Sequence, residues 1–294
     1  IEIEAGEVNK TIETCTEVWY ALTELEADRK SIIINVGGGM VSDLGGFVAS
    51  TFKRGIDFIN VPTSLLAMVD ASVGGKTGID LGALKNQIGV INTPVAVLID
   101  PQFLETLPQM EMRSGLAEMY KHGLIADNKY WISLLDLTNL TTDDLLGLIH
   151  WSVEIKNNIV KQDPTEKGQR KLLNFGHSLG HAIESYHLEN NNKDTLLHGE
   201  AIAIGIVLES HISLKKGLIS TEEYREIKHV LLSMFGKIDF KETDITEVIK
   251  LLTHDKKNEF GNVQFVLLNS IGKAIFNQPV ENQLIFKAFE DYNS

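Results

Sequence analysis

The sequence predicts an α/β layer at the N-terminal end followed by a mainly α-helical region, on three observations. Ser31–Val36 (SIIINV) is a continuous apolar run rich in β-branched residues, the pattern of a strand buried on both faces of a parallel sheet. Gly37-Gly38-Gly39 follows it directly, and Val41–Thr51 then reads as a helix. After Pro101 strand patterns nearly vanish and helical periodicity takes over.

In chain order, Ile1–Lys10 is short and polar, and Thr11–Ala27 is amphipathic, with Val18, Leu22 and Leu25 among its apolar positions. Strand, glycine turn and helix is the geometry in which backbone N–H groups and a helix N-terminus cradle a phosphate, as in a Rossmann-like domain. The GxGxxG fingerprint would need glycine at position 42, where Ser42 stands. A tight left-handed turn alone explains one or two glycines. Three in a row, followed by Asp43 and Gly45-Gly46, also fit a close backbone approach to a ligand. Asp57–Val61 is a second strand, ended by Pro62-Thr63-Ser64, and Val95–Ile99 a third, ended by Asp100-Pro101. Between them Asp70–Asn86 reads as a glycine-rich loop carrying Lys76 and Lys85. Those lysines either reach an anion or are simply solvated.

The change of pattern places a boundary within residues 103–108, so the expected domains are 1–104 (α/β, nucleotide-binding) and 105–294 (mainly helical, metal- and substrate-binding). In Arg113–Ile125, Glu118, Lys121 and His122 share a helix face at i, i+3, i+4. An exposed salt-bridge row would give that spacing, but Gly115, Ala117 and Gly123 point to tight packing, where a carboxylate needs a partner. Thr141–Lys161, a helix or helix pair, carries Lys156. Asp163–Gly168 is a turn-rich break, and Arg170 follows it.

Asn174–Glu200 holds four of the nine histidines. Read as a helix, Phe175–Tyr186 puts His177, His181 and Glu184 on one side, and Leu179, Ala182, Ile183 and Tyr186 on the other. His198-Gly199-Glu200 opens the apolar run Ala201–Leu208, a buried helix whose N-terminus favours a neutral imidazole at His198. Glu118, His177 and His198 would give three ligands for one divalent metal with positions left open for substrate, and zinc is the default for such a set. The competing reading is hydrogen-bonded histidines at a packed interface. His181, one turn from His177, is free for acid/base or relay work. Glu184 and His187 read as structural. Glu209–Phe235 is helical, Val263–Leu268 and Ala274–Phe276 form a hairpin about Asn269–Gly272, and Asn282–Glu290 is a short helix.

The chain has 294 residues and a formal net charge of -13, which disfavours nucleic acid and anionic membrane surfaces. The single cysteine, Cys15, excludes a disulfide framework and a cysteine-based zinc site and fits the cytoplasm. No apolar run reaches transmembrane length. Against this acidic background Arg54, Lys76, Lys85, Lys121, Lys156, Arg170 and Lys256 lie in or beside the glycine and histidine motifs. Converging, they would suit a small polyanion with a phosphate and a carboxylate. Scattered, they would be ordinary surface charge.

GGGMVSDLGGFVAS, RGIDFINVPTSLLAMVDASVGGKTGID, KNQIG, SGLAEMYKHG, RKLLNFGHSLGHAIES, LHGEAIAIG and HDKKNEFG, in this order between Gly6 and Leu268, resemble the 3-dehydroquinate synthase family of the sugar-phosphate cyclases. The resemblance implies a homodimeric, NAD-dependent, zinc- or cobalt-dependent lyase of the shikimate pathway acting on a phosphorylated keto acid. The family's N-terminal several dozen residues, which supply a first strand and part of the adenosine pocket, are absent from this sequence, so the adenine side of the site is the part the resemblance does not cover. Carried over by motif, Glu118, His177 and His198 match the metal ligands. Glu7, Lys10, Gly38, Gly39, Asp43, Thr63, Ser64, Asp70, Lys76, Lys85, Phe103 and Thr106 match the NAD site, with Ser64 replacing the commoner threonine. Asp70, Lys76, Asn86, Lys121, Lys156, Arg170, Asn174, His181 and either Lys256 or Lys257 match the substrate pocket, and Arg54 matches an arginine that reaches a neighbouring subunit. The rivals are another sugar-phosphate cyclase, a metal-dependent glycerol-type dehydrogenase, which would not need so many cations, and a nucleotide-binding regulatory module with a structural zinc. Lys156 and Arg170, as carboxylate-binding cations, favour the keto-acid substrate.

Overall fold

The computed structural model describes residues 1–82, 84–190, 193–254, 258–259 and 262–294. The chain forms two compact units, Ile1–Met112 with Thr141–Asn157, and Arg113–Leu140 with Asn158–Ser294. The expected division at 104/105 therefore compares with an observed one at 112/113, and a later segment returns to the first unit.

In the first unit α1 (Ile12–Glu24) starts at Thr11, whose Oγ1 accepts from the Thr14 N–H. β1 (Ile32–Gly37), β2 (Asp57–Pro62) and β5 (Ala96–Val97) form a parallel sheet in the order β1-β2-β5, with Ile32 opposite Asp57 and Gly37 opposite Pro62. α2 (Gly39–Thr51) follows β1 and joins Cys15, Leu22, Phe47, Val48, Phe58 and Ile79 in one apolar core. Gly45 and Gly46 let α2 close on the sheet: a Cβ on Gly45 would lie 2.0 Å from Asn35 Oδ1, and one on Gly46 2.5 Å from Thr77 Cγ2. These two glycines serve helix-on-sheet packing rather than approach to a ligand.

Three expectations are corrected in this unit. β1 is not buried on both faces: Ile33 packs against the core, whereas Ile32, Ile34 and Val36 are 54 %, 60 % and 56 % exposed. Strand side chains alternate between faces, and an apolar run does not say whether both faces are covered. The third strand shrinks to Ala96–Val97, although the flanking Val95 and Leu98 N–H groups still donate to Phe58 O and Asn60 O at 2.8 and 2.9 Å. Asp70–Asn86 is not a loop. After a π-helical turn at Ala67–Ala71, β3 (Lys76–Leu81) pairs antiparallel with β4 (Leu84–Ile91). Gly78 and Gly89 face each other across this hairpin, where a Cβ would sit 2.6 Å from Ile88 O and 2.3 Å from Thr77 O respectively. Here glycine permits strand pairing, the opposite of what its density suggests on paper.

The second unit is built mainly from helices: α3 (Gln109–Ala126, from Arg113 on), α4 (Asn128–Ser133), the end of α5 (Thr142–Gln162), α6 (His177–Glu189), α7 (His198–Lys215), α8 (Thr221–Phe235), α9 (Glu242–His254) and α10 (Asn282–Asn293). β6 (Asn258–Glu259), β7 (Asn262–Ser270) and β8 (Lys273–Pro279) make a small antiparallel sheet. The expected single helical stretch Glu209–Phe235 is broken. α7 ends at Lys215, Gly217 takes φ 71°, and Ser220 and Glu223 form a reciprocal capping box that starts α8. α7 is buried along Ala201–Ser213, as its lack of a polar face requires. α6 and α7 touch through glycine: a Cβ on Gly205 would stand 2.0 Å from Gly176 O, and one on Gly180 3.1 Å from Ala201 O. Among the described residues no helix is long and apolar enough to cross a membrane.

Because the obstacle at Gly205 is a backbone carbonyl, Gly205→Ala must push the two helices apart. It is expected to destabilise the protein by about 3 kcal/mol, at the upper end of overpacking penalties, read as a shift of the urea-unfolding midpoint.

Candidate active site

In the first unit the C-terminal ends of β1 and β2 lie side by side, the position where open α/β sheets bind ligands. Gly38 caps α2, and the Thr63 N–H donates to Gly37 O at 2.9 Å. A Cβ on Gly38 would be 3.4 Å from Ser64 Oγ, and one on Gly39 3.2 Å from Ala71 Cβ, so the glycine turn leaves room for backbone alone. Ser64 Oγ also accepts from the Ala67 N–H at 3.3 Å. The expected Gly38, Gly39, Thr63 and Ser64 are therefore brought together.

Lys10, 3 % exposed, is the hub of the same unit. Its Nζ donates to Asn86 Oδ1 at 2.6 Å and Asp43 Oδ2 at 2.8 Å, with Glu7 Oε1 at 3.5 Å. Burial alone would lower the Lys10 ammonium, but Asp43 and Glu7 outweigh it and hold it above its ordinary value. Burial pushes Asp43 from 3.8 to about 6, with Lys10 opposing. Asn86 keeps φ 52° because its N–H donates to Asp80 Oδ1 at 2.7 Å. Lys156, on α5, donates to Asp70 Oδ1 at 2.7 Å and to its carbonyl at 2.6 Å. Lys76 opens β3 and is exposed, while Lys85 on β4 is half-buried. Phe103 and Thr106 lie on an exposed 3-10 segment, Pro101–Thr106, and Arg54 is exposed on a turn after α2.

In the second unit Glu118 on α3 is 0 % exposed. The Lys121 ammonium pairs with Oε2 one turn away. His177 Nε2 stands 3.4 Å and His198 Nε2 3.8 Å from Oε1. The ring nitrogens of His177, His181 and His198 also lie within 4.8 Å of one another. His177 Nδ1 bonds to Phe175 O at 3.0 Å; a carbonyl only accepts, so the proton sits on Nδ1 and the Nε2 lone pair faces Glu118. His198 Nδ1 bonds to Glu184 Oε2 at 3.2 Å, with the same consequence. Two oriented imidazoles around a buried carboxylate form a donor set that fits one divalent metal.

The local backbone is set by a residue that sequence reasoning missed. Glu209, buried on α7, accepts from Gly176 N at 2.7 Å and Leu179 N at 3.2 Å, and so caps the α6 N-terminus where His177 begins. A carboxylate directly after the apolar run Ala201–Leu208 was the available signal, since burial demands donors. Arg170 is buried, its Nη1 donating to Pro164 O at 2.7 Å, and Asn174 Nδ2 donates to Glu166 Oε1 at 2.6 Å. His187 serves structure: its Nδ1 donates to Asp194 O at 2.8 Å. Glu184, read from sequence as structural, instead touches a candidate ligand. Lys256 and Lys257 lie outside the described residues.

An α/β unit with a glycine turn at its strand ends and a helical unit bearing a histidine–carboxylate cluster are the parts found in nucleotide-dependent enzymes that carry a metal in a helical domain. The family models for the 3-dehydroquinate synthase N-terminal and C-terminal regions match residues 1–114 and 115–258. A 3-dehydroquinate synthase of Parabacteroides distasonis is 42 % identical over 292 residues, covering 99 % of this chain and 82 % of the relative. The chain belongs to the 3-dehydroquinate synthase family. Among solved structures, a 2-epi-5-epi-valiolone synthase from Streptomyces hygroscopicus with NAD+ and Zn2+ bound is similar at TM-score 0.88 and 28 % identity, covering 99 % of this chain and 81 % of that one. A 2-deoxy-scyllo-inosose synthase complexed with carbaglucose-6-phosphate, NAD+ and Co2+ is similar at TM-score 0.84 and 28 % identity, covering 98 % and 81 %.

A carboxyl raised on folding holds its proton more tightly in the native state. The Asp43 contribution to stability is thus full below about pH 4 and is lost as pH rises through about 6. Asp43→Asn removes that dependence. The unfolding free energy of the wild type, relative to the variant, is expected to fall between pH 4 and 7, as measured by urea titration at each pH.

Proposed function

We propose that the chain converts 3-deoxy-D-arabino-heptulosonate 7-phosphate to 3-dehydroquinate and phosphate, as an NAD- and metal-dependent lyase of the shikimate pathway. The observation that carries this reading is the 42 % identity to a named 3-dehydroquinate synthase over 99 % of the chain, spanning both units. Bound NAD would supply a hydride acceptor for C5 and, once reduced, the hydride returned to it, and a bound metal would supply a Lewis acid for the C5 hydroxyl.

The chain's own residues divide the work. In the first unit Gly38 and Gly39 admit the cofactor backbone-on, and Thr63, Ser64, Lys85, Phe103 and Thr106 flank it, with Lys10 holding Asp43 and Glu7 in place. In the second unit Glu118, His177 and His198 hold the metal, and Lys121 balances the charge on Glu118. Lys156 and Arg170 recognise the carboxylate end of the substrate, and Asp70 sets the direction of Lys156 through their 2.7 Å contact. A ketone at C5 makes the neighbouring C6 proton acidic, so elimination asks little of the protein, and the departing phosphate can take that proton itself. Lys76 and Lys256 stabilise its charge. Asn86 and Asn174 orient hydroxyls, and His181 moves protons for the C5 oxygen. This donor set is what separates the keto-acid reading from the sugar phosphates of related cyclases and from uncharged polyols.

Lys53 (φ 50°) and Arg54 (φ 71°) both take left-handed backbone conformations that cost about 1–3 kcal/mol each. By the family resemblance the chain forms a homodimer in which Arg54, exposed on this turn, serves the neighbouring subunit. The substrate class is a small phosphorylated keto acid, with no nucleic acid or membrane partner, and the compartment is the cytoplasm.

With the keto-acid phosphate, NAD and zinc, phosphate should appear without accumulation of NADH; NADH accumulating with a polyol instead would sink the reading. His177→Ala should lose the metal. His181→Ala should retain it while kcat falls by about 10²–10⁴, the metal content being read by atomic absorption. Arg54→Ala and His181→Ala, each nearly inactive alone, should recover activity when mixed and allowed to exchange subunits; no recovery would remove the shared-site arrangement.

A further inference from the structure

We infer that Glu184 is a positioning residue for His198: its carboxylate holds the Nδ1 proton of that ring, so that the Nε2 lone pair is presented, alongside Glu118, to a bound metal. The inference rests on the proposed metal site and deepens it. Glu184 lies on α6, two turns beyond His177, and reaches across to the first residue of α7. Its side chain is 10 % exposed, its Oε2 is 3.2 Å from His198 Nδ1, and His198 Nε2 is 3.8 Å from Glu118 Oε1. One helix therefore supplies one imidazole directly and directs the other.

The two imidazoles are held differently. His177 Nδ1 donates to a neutral backbone carbonyl, Phe175 O, at 3.0 Å, whereas His198 Nδ1 donates to a carboxylate. A charged acceptor draws the Nδ1 proton more strongly and makes Nε2 the more basic donor. His198 also stands at the N-terminus of α7, whose positive end would otherwise withdraw electron density from the ring. Glu184 offsets that field. The Nδ1 acceptor of His177 is built into the backbone, while that of His198 is a replaceable side chain, so a mutation outside the ligand set can tune the hold of His198 on the metal.

The test uses the full chain and zinc alone, with affinity measured by competition against a chromophoric chelator. Glu184→Gln keeps shape and an acceptor but removes the charge, and Glu184→Ala removes both. Zinc affinity is expected to fall in the order wild type, Gln, Ala, by about 10–100-fold in total, while the unfolding midpoint of the metal-free Gln variant stays close to that of the wild type. His198→Ala serves as the control. If it weakens zinc binding but both Glu184 variants stay within about twofold of wild type, the role of Glu184 is overturned and the metal site stands. If wild type takes up no zinc, or His198→Ala changes nothing, the metal site fails and this inference fails with it. Should the variants not fold, the ¹⁵N spectrum of the histidine rings in zinc-loaded wild type decides the matter. His198 protonated at Nδ1 and ligated at Nε2 supports the inference, and the reverse tautomer overturns it.

Discussion

A carboxylate buried away from solvent is the constraint on which the second unit depends. Glu118 is completely buried on α3, and taking an isolated charge out of water is expensive. The Lys121 ammonium one turn along the same helix supplies the compensating charge, and the Nε2 atoms of His177 and His198 converge with the carboxylate on one point, where a bound cation would offset it further. Each imidazole must offer its lone pair, so each needs an acceptor behind it. Phe175 O and Glu184 fill those places. Two rings at the starts of α6 and α7 are thus aimed at one buried carboxylate on α3.

That arrangement demands a close approach of α6 and α7, which glycine supplies. Gly176 and Gly205 touch through backbone atoms, and Glu209 crosses the same seam to satisfy two N–H groups at the head of α6. Small residues set the distance between the helices and a buried acid sets their register. The function of the apolar run Ala201–Leu208 is thus mechanical. It embeds α7 so deeply that His198 at its N-terminus has little freedom to move.

The first unit solves a similar problem with opposite signs. Lys10 is a buried cation surrounded by Asp43, Asn86 and Glu7, and it ties the polar N-terminal segment, α2 and the β3–β4 hairpin to one ammonium group. Lys156 and Asp70 form a second such pair. In both cases a residue that resembles a catalytic cation in the sequence is already engaged by a neighbouring carboxylate or amide. Burial of the pair fixes its direction, and an ammonium so fixed can meet a ligand without reorganising.

Much of this was legible in the residue order. The strand–glycine–helix pattern at Ser31–Thr51, the two faces of Phe175–Tyr186 and the apolar run after His198 each report a periodicity that the backbone obeys locally, so α2, α6 and α7 could be read directly. Glu118, His177 and His198 could be named as one set from residue type and motif. Other features depend on what a residue meets across the fold, which no local pattern encodes. Glycine density at Asp70–Asn86 hid a hairpin because Gly78 and Gly89 oppose each other only once paired. The run Ile32–Val36 could not reveal that one face of β1 is exposed. Glu184 looked structural until His198, on another helix, came within 3.2 Å. The sequence by itself determined the elements, their order and the chemical types at the site. Only the tertiary structure decided which carboxylate stands behind which imidazole, because the partner of a buried charge is set by packing across elements and not by position along the chain.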